Sequence, residues 1–145
     1  MQERFQTFTI LIARLNRCIR KLKTEEMSEF GLKSPHVSCL YYLYKADSLT
    51  SKELCDICEE DKANISRSIE FLEKNGYIVS RSKTEKRYKS PLVLTEKGRE
   101  AGKCIYDKVE RVLDEVGTTL SEEERASFYK NLALISDQLE RLSNT

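Results

Sequence analysis

The chain has 145 residues, of which 34% are charged and 8% aromatic, with no tryptophan and a formal net charge of +1. This length fits one domain, or one domain with an appendage, and the composition is typical of a globular, helix-rich protein. The sequence contains neither the run of about 18 apolar residues that crosses a membrane nor a secretory signal pattern, and its five cysteines form no paired framework. We therefore expect a cytoplasmic protein without membrane contact.

Charge is unevenly distributed along the chain. Residues 62–103 contain eleven basic and five acidic residues, whereas residues 25–61 contain three basic and nine acidic ones. A polyanion responds to local charge more than to the net charge of the whole molecule. The basic middle segment is therefore the candidate for contact with an anionic partner.

Three long helices are predicted from apolar residues that recur in steps of three and four, which place them on one face of a helix. We call each such apolar row a seam. The seam of the N-terminal helix consists of Phe5, Phe8, Ile12, Leu15, Ile19 and Leu22. The seams of the two helices near the C-terminus consist of Ile105, Val109, Val112 and Val116, and of Phe128, Leu132, Ile135, Leu139 and Leu142. The second of these helices is expected to begin near Thr95. The last is expected to begin at a capping box of Ser121 and Glu124.

Three shorter helices are predicted between the long ones, each from a cap and an apolar stripe. Ser34 is the expected N-cap of the first, with Pro35 at its first helical position. Thr50 and Glu53 form a capping box for the second, with Leu54 and Ile57 facing inward. The third has Asp61 as its cap, Gly76 as its C-terminal stop, and an inward stripe of Ile65, Ile69 and Leu72.

The hydrophobic period changes after the third short helix. Residues 77–81 and 90–94 are β-prone, and a strongly charged segment separates them, which indicates a hairpin. Pro91 fits only the start of a strand or a sheet edge. Two short helices joined by a three-residue turn and followed by a basic hairpin predict a winged helix-turn-helix, so the fold class is mainly α with a small β-hairpin wing.

Polar residues open the third short helix, opposite its apolar stripe. The N-terminal turns of a helix reach base edges in the DNA major groove, where Asn pairs with adenine and Arg with guanine. Ser and Lys suit phosphates, and a small Ala permits close approach. The predicted DNA-contacting residues of the helix-turn-helix are Thr50, Ser51, Lys62, Ala63, Asn64, Ser66, Arg67 and Ser68. An ordinary solvated helix face is the alternative interpretation.

The charged hairpin strengthens the DNA interpretation. Five cations on a short loop repel one another, whereas contact with phosphates compensates for their repulsion and releases counterions. We expect Arg87 to enter the minor groove, with Glu85 beside it. The predicted wing contacts are Arg81, Lys83, Lys86, Arg87 and Lys89.

Cysteine spacing gives a weaker signal. Cys55 and Cys58 are separated by two residues, but zinc requires four ligands and the chain has no second such pair. A site that adds Cys39 and His36 would require favourable packing. We interpret these cysteines as core residues and predict neither a metal nor a cofactor.

The chain resembles the MarR (multiple antibiotic resistance regulator) family of bacterial transcription factors. The resemblance is carried by residues 49–78, by the charged wing, and by "LVLTEKGRE", in which Leu94, Thr95 and Gly98 match the family pattern. It implies a homodimer in which residues 1–32 and 96–145 form dimerisation helices and residues 33–95 form the winged helix-turn-helix. Two such domains would occupy successive major grooves of a pseudo-palindromic operator.

The resemblance also implies regulation by a signal. Family members often bind a small aromatic or phenolic acid, for which Lys33, Arg14 and Arg17 are candidate contacts, although the pocket cannot be located from sequence. Some members sense peroxides through a first-helix cysteine held by tyrosine hydroxyls. Cys18 is the candidate here, with Arg17 beside it and three tyrosines in the next helix. A plain buried thiol is the alternative.

The predicted function is a dimeric, sequence-specific DNA-binding regulator, a repressor that a small molecule or an oxidant releases. One alternative is a winged-helix module that binds proteins instead of DNA; another is a thiol-based peroxide sensor. An enzyme is not predicted, because one histidine, scattered acids and no glycine-rich phosphate loop leave no catalytic cluster.

Overall fold

The computed structural model describes residues 4–26, 30–58, 60–81 and 90–144. Within them the fold is helical with one small antiparallel sheet, and the mainly α winged-helix class predicted from sequence is confirmed. The elements in chain order are α1 (Arg4–Glu26), α2 (Ser34–Ala46), α3 (Ser51–Cys58), α4 (Lys62–Lys74), β1 (Ile78–Ser80), β2 (Leu92–Leu94), α5 (Glu96–Gly117) and α6 (Glu122–Ser143). None of the described helices is both long and apolar enough to cross a membrane.

The chain forms two compact units, Met1–Lys108 and Val109–Thr145. In the first unit α2, α3, α4, the two strands and the first half of α5 enclose the core. Its fully buried large side chains are Leu40, Leu43, Leu54, Ile65, Leu72, Ile78, Leu92 and Ile105. This core holds the helix-turn-helix in place.

Helix starts follow local side-chain chemistry. The predicted box at α3 is present, since Glu53 N donates to Thr50 Oγ1 and Thr50 N donates to Glu53 Oε1, both at 3.1 Å. Ser121 and Glu124 form the same pair of bonds at the start of α6, at 3.1 and 2.9 Å. Such reciprocal bonds satisfy backbone amides that the helix itself leaves without partners.

The N-cap predicted for α2 was wrong by one residue. Lys33 occupies the cap position and Ser34 is already helical, with Pro35 in the first turn. The reason is that the imidazole Nδ1 of His36 accepts the Lys33 N–H at 3.0 Å, so a histidine supplies the capping interaction in place of the serine hydroxyl. Helix ends commonly shift by such a margin.

The wing strands pair in the predicted antiparallel hairpin, with Val79 opposite Val93. Pro91 directly precedes β2, at the strand start to which its missing N–H restricts it. A further bridge joins Leu49, between α2 and α3, to Leu92, with N–H···O distances of 3.2 and 2.8 Å. This bridge, which sequence reasoning missed, fixes the N-terminus of α3 against the wing.

The strand-to-helix junction carries a glycine that cannot be enlarged. A Cβ on Gly98 would lie 1.9 Å from the carbonyl oxygen of Tyr77. That carbonyl is held in place, because Thr95 donates to it from its backbone N at 3.0 Å and from Oγ1 at 3.1 Å. Gly98 N in turn donates to Thr95 Oγ1 at 3.1 Å. The junction therefore anchors the first turn of α5 to the base of the wing.

Candidate nucleic-acid interface

Helix α4 is oriented by its cap and its apolar stripe. Asp61 Oδ1 accepts the Asn64 N–H at 2.7 Å, as the sequence predicted. Ile65 and Leu72 are completely buried, which fixes the rotation of the helix about its axis. Lys62, Ala63, Ser66 and Arg67 are consequently exposed, and Asn64 is half-exposed. The N-terminal half of α4 thus presents a polar surface of the predicted composition.

A short hydrogen-bond chain links the two predicted base-reading residues. The Arg67 guanidinium donates from Nη2 to Asn64 Oδ1 at 2.5 Å, and Asn64 Nδ2 donates to Glu60 Oε2 at 3.4 Å. Glu60 belongs to the turn before α4, so this chain restrains both side chains without DNA. Contacts of Asn64 and Arg67 with bases would have to replace these hydrogen bonds.

Ser68 does not belong to this surface, and its prediction as a DNA contact was wrong. Its side chain is 3% exposed. The physical reason is helical geometry, because Ser68 shares the inward face with Ile65, Ile69 and Leu72 at steps of three and four. It is a small polar member of the buried stripe.

Ile57 in α3 was also assigned to the wrong face, since it is 41% exposed whereas Leu54 is fully buried. The inward side of this eight-residue helix runs through Leu54 and, one turn later, the half-buried Cys58. Ile57 lies beside that line.

A groove between α3 and α4 brings several predicted contacts together. Its volume is about 720 Å³. Ser51, Lys62 and Ser66 were predicted from sequence, whereas Lys52 was missed although it directly follows Ser51. The lining residues are Ser51, Lys52, Cys55, Asp56, Lys62, Ser66, Ile69 and Glu70. Thr50 directly precedes Ser51 in the chain, but its hydroxyl already accepts the Glu53 N–H at the N-terminal cap of α3.

The wing is described only at its base. Arg81 is exposed and its backbone N–H donates to Pro91 O at 2.7 Å, which closes the hairpin beyond β1. Four of the predicted wing contacts and the neighbouring Glu85 lie outside the described residues. These four contacts are Lys83, Lys86, Arg87 and Lys89.

Two sequence comparisons identify relatives of this arrangement. Residues 36–113 match a family model described as a winged helix DNA-binding domain. A Bacillus subtilis protein, the uncharacterized HTH-type transcriptional regulator YwoH, is 30% identical over 112 residues, covering 77% of this chain and 81% of that protein.

Solved structures extend the similarity to the whole fold. A MarR family regulator from Neisseria meningitidis has a TM-score of 0.85 at 18% identity, over 97% of this chain and 96% of that one. The S. aureus MepR–DNA complex has a TM-score of 0.80 at 18% identity, over 91% and 97%. The chain belongs to the winged helix DNA-binding domain family, and its fold is that of the MarR family regulators. Regulators of this type are not generally enzymes.

The cysteines of this chain differ in their burial. Cys39 is fully buried, whereas Cys55 and Cys58 are half-buried, so the interpretation of these two as core residues holds only in part. The reason is that the inward face of α3 is filled chiefly by Leu54. Within the residues described, no three metal-binding side chains come together.

Cys18 is exposed, so the alternative of a plain buried thiol at this position was wrong. In the described part of the regulator its thiol forms no hydrogen bond with a tyrosine hydroxyl. Tyr41 instead contacts Tyr42 and Tyr106, with ring centroids 5.1 and 6.1 Å apart. The peroxide-sensing role of Cys18 stays a prediction.

His36 couples the start of α2 to the recognition helix. Its ring stacks on Phe71 of α4 with centroids 4.1 Å apart and an interplanar angle of 5°. Burial lowers the pKa of His36 below its usual 6.5, and the nearby Lys33 charge lowers it further. The acceptor role of Nδ1 also requires the neutral ring.

We expect acidification to destabilise this regulator through His36. The unfolded chain binds a proton near pH 6.5, whereas the folded chain binds it only at lower pH. The stabilisation is therefore complete above pH 6.5 and is lost as the pH falls through the folded-state pKa. The melting temperature measured from about pH 5 to 7 should fall on the acidic side. Since His36 is the only histidine, His36→Phe should reduce that fall, and an unchanged pH profile would contradict the assignment.

Proposed function

We propose that the chain is a homodimeric, sequence-specific DNA-binding repressor that a small-molecule or oxidant signal releases from a pseudo-palindromic operator. The observation that carries the proposal is the exposed polar edge at the start of α4, held outward by the burial of Ile65, Ile69 and Leu72. An α-helix presented in this way fits the major groove.

The side chains of this edge divide into two roles. Asn64 and Arg67 have the donor and acceptor groups that pair with adenine and guanine edges. Lys52, Lys62 and Ser66 line the groove beside them and suit the phosphates on either side. Arg81, at the exposed base of the wing, adds a cation next to the segment for which we propose minor-groove contact by Arg87.

A protein-binding winged helix without DNA affinity is the competing function. The basic segment 62–103 argues for DNA, because a protein-recognition surface has no need for this excess of positive charge. The MepR relative is itself described in a DNA complex. These facts support a DNA-binding role in this chain.

The test is a fluorescence-anisotropy titration against the DNA upstream of the protein's own gene. We expect affinity to fall by about one log unit per log unit of salt for each phosphate neutralised. Binding that is absent at low salt, or that does not depend on salt, would contradict the proposal and favour the protein-binding alternative.

Substitutions separate recognition from general affinity. Asn64→Ala or Arg67→Ala should change the preference at one base by about 1–3 kcal/mol, whereas Lys62→Ala should weaken binding to all sequences and lower the salt slope by about one. Lys74→Ala, at the exposed far end of the same helix, is the control and should leave both quantities unchanged. Equal losses from all variants on every sequence would refute this division of roles.

A further inference from the structure

The chain that leaves the recognition helix α4 is held by side chains at the start of α5. Three consecutive backbone carbonyls between α4 and β1 accept hydrogen bonds from two of these side chains. Thr95 Oγ1 donates to Gly76 O at 2.6 Å and to Tyr77 O at 3.1 Å. Lys97 Nζ donates to Asn75 O at 2.7 Å. The end of α4 and the base of the wing are therefore attached to the same turn of α5.

Helix α4 ends in a turn that already satisfies its last carbonyls. Gly76, with a φ of 79°, donates its N–H to Glu73 O at 3.1 Å, and the Tyr77 N–H donates to Leu72 O at 2.8 Å. This pair of bonds is the Schellman motif of helix C-termini. The motif does not use the carbonyl of the C-cap residue Asn75, and this carbonyl is the one that accepts the lysine ammonium.

The charge of Lys97 is placed to the benefit of α4 and against that of its own helix. Lys97 is the second residue of α5, and a cation in the first turn of a helix is unfavourable because the positive end of the helix dipole lies there. Its ammonium instead reaches the C-terminus of α4, where the dipole is negative. It also lies 4.4 Å from the ring centroid of the buried Tyr77, a favourable cation–π distance.

We propose that Lys97 is a positioning residue for DNA recognition, which fixes the direction of α4 relative to the wing without contacting DNA itself. The proposal rests on the proposed function, in which α4 reads bases. Burial of Ile65, Ile69 and Leu72 fixes the rotation of α4 about its axis. Apolar packing is non-directional, however, so the hydrogen bonds at the helix end determine where the helix points.

The length of α4 amplifies a small change at this anchor. The helix has 13 residues and is therefore about 20 Å long. A tilt of about 5° at its C-terminal end would move its N-terminal turn by roughly 2 Å. Hydrogen bonds to base edges tolerate only about 0.5 Å. Loss of the Lys97 contact should thus impair base reading by Asn64 and Arg67 at the far end.

The decisive measurement is the ratio of affinities for two duplexes, the DNA upstream of the protein's own gene and a shuffled duplex of the same length and composition. Fluorescence anisotropy gives both affinities at several salt concentrations. Lys97→Met removes the ammonium and keeps a side chain of similar shape. We expect the ratio to fall by about tenfold, roughly the discrimination that one base pair supplies. The salt slope should stay unchanged, because no phosphate contact is lost.

Two further variants serve as controls for this measurement. Lys97→Arg keeps the charge, the N–H donors and the ability to stack on Tyr77, and should retain the wild-type ratio. Lys103→Met removes the same charge from an exposed site on α5, where Lys103 pairs with Asp107 at 3.3 Å, and should also retain it. A loss of folding stability alone would lower both affinities together. An equal loss on both duplexes in Lys97→Met, with a salt slope lower by about one, would identify a phosphate contact and overturn the proposal.

Hydrogen exchange followed by mass spectrometry tests the anchor without DNA. We expect Lys97→Met to accelerate exchange of the Gly76 and Tyr77 amides by about fivefold, corresponding to one hydrogen bond of ordinary net strength, and Lys103→Met to leave it unchanged. Unchanged exchange in Lys97→Met would overturn the anchor, and faster exchange with an unchanged affinity ratio would overturn the positioning role. A wild type that binds neither duplex, or both equally, would refute the proposed function, while exchange would still decide the anchor.

Discussion

Gly98→Ala should lower the free energy of unfolding by about 3 kcal/mol, at the upper end of the usual cost of overpacking a core. The new Cβ would lie 1.9 Å from Tyr77 O, and this atom is backbone and not the flexible end of a side chain. Thr95 holds the same carbonyl through its N–H and its hydroxyl, and its hydroxyl also donates to Gly76 O at 2.6 Å. The wing base therefore cannot withdraw without losing several hydrogen bonds.

Urea unfolding at a fixed protein concentration measures the effect. Gly117→Ala is the matched control, because its Cβ would meet only Arg125 Nη1, at 2.9 Å, and a guanidinium can move away. Replacing a helical glycine by alanine otherwise favours the helix by about 1 kcal/mol. The control should thus be neutral or stabilising, and an unchanged midpoint in Gly98→Ala would show that the Tyr77 carbonyl is not fixed.

The features that sequence predicted correctly are those that depend on near neighbours in the chain. The boxes at Thr50 and Ser121 and the cap at Asp61 each join residues three apart, so the residue types alone define them. Gly76 adopts a φ of 79°, which a glycine at a helix end predicts. Such signals were sufficient to place the helix-turn-helix and the wing.

The misassigned residues have a different origin. Ser68 looked like a surface residue because its type is polar, yet position 68 lies on the same helical face as Ile65 and Leu72. Ile57 looked like a core residue because its type is apolar, yet α3 already fills the core with Leu54. In both cases the position on the helix outweighed the residue type.

Contacts between distant segments were not accessible from sequence. The Leu49–Leu92 bridge involves one residue on each side and has no periodic signature. The stacking of His36 on Phe71 joins two helices whose relative placement only the fold determines. One sequence offers many such pairs, and packing selects among them.

Replacing Ile135 and Leu139 together by Glu should convert the protein from a dimer to a monomer. No residue of α6 is buried in the described chain, although this 22-residue helix exposes about half of several large apolar side chains. The exposed set is Phe128, Tyr129, Leu134, Ile135, Leu139 and Leu142. Helices in proteins depend on packing of an apolar face, and an uncovered face of this size marks an interaction site.

A second copy of the chain is the partner that we propose for this face, and α1 exposes a similar seam with Leu15 at 52% and Ile19 at 50%. Burying one Ile or Leu contributes about 1.5–3 kcal/mol, so two substitutions in each protomer should weaken association by at least about a thousandfold.

Light scattering after size exclusion should give twice 16.9 kDa for the wild type and 16.9 kDa for the variant. Gln138→Glu adds a charge between the two sites on the same helix and should remain dimeric. A wild-type chain that is monomeric at micromolar concentration would contradict the proposal, because two half-sites one helical turn apart require two copies of α4 held together.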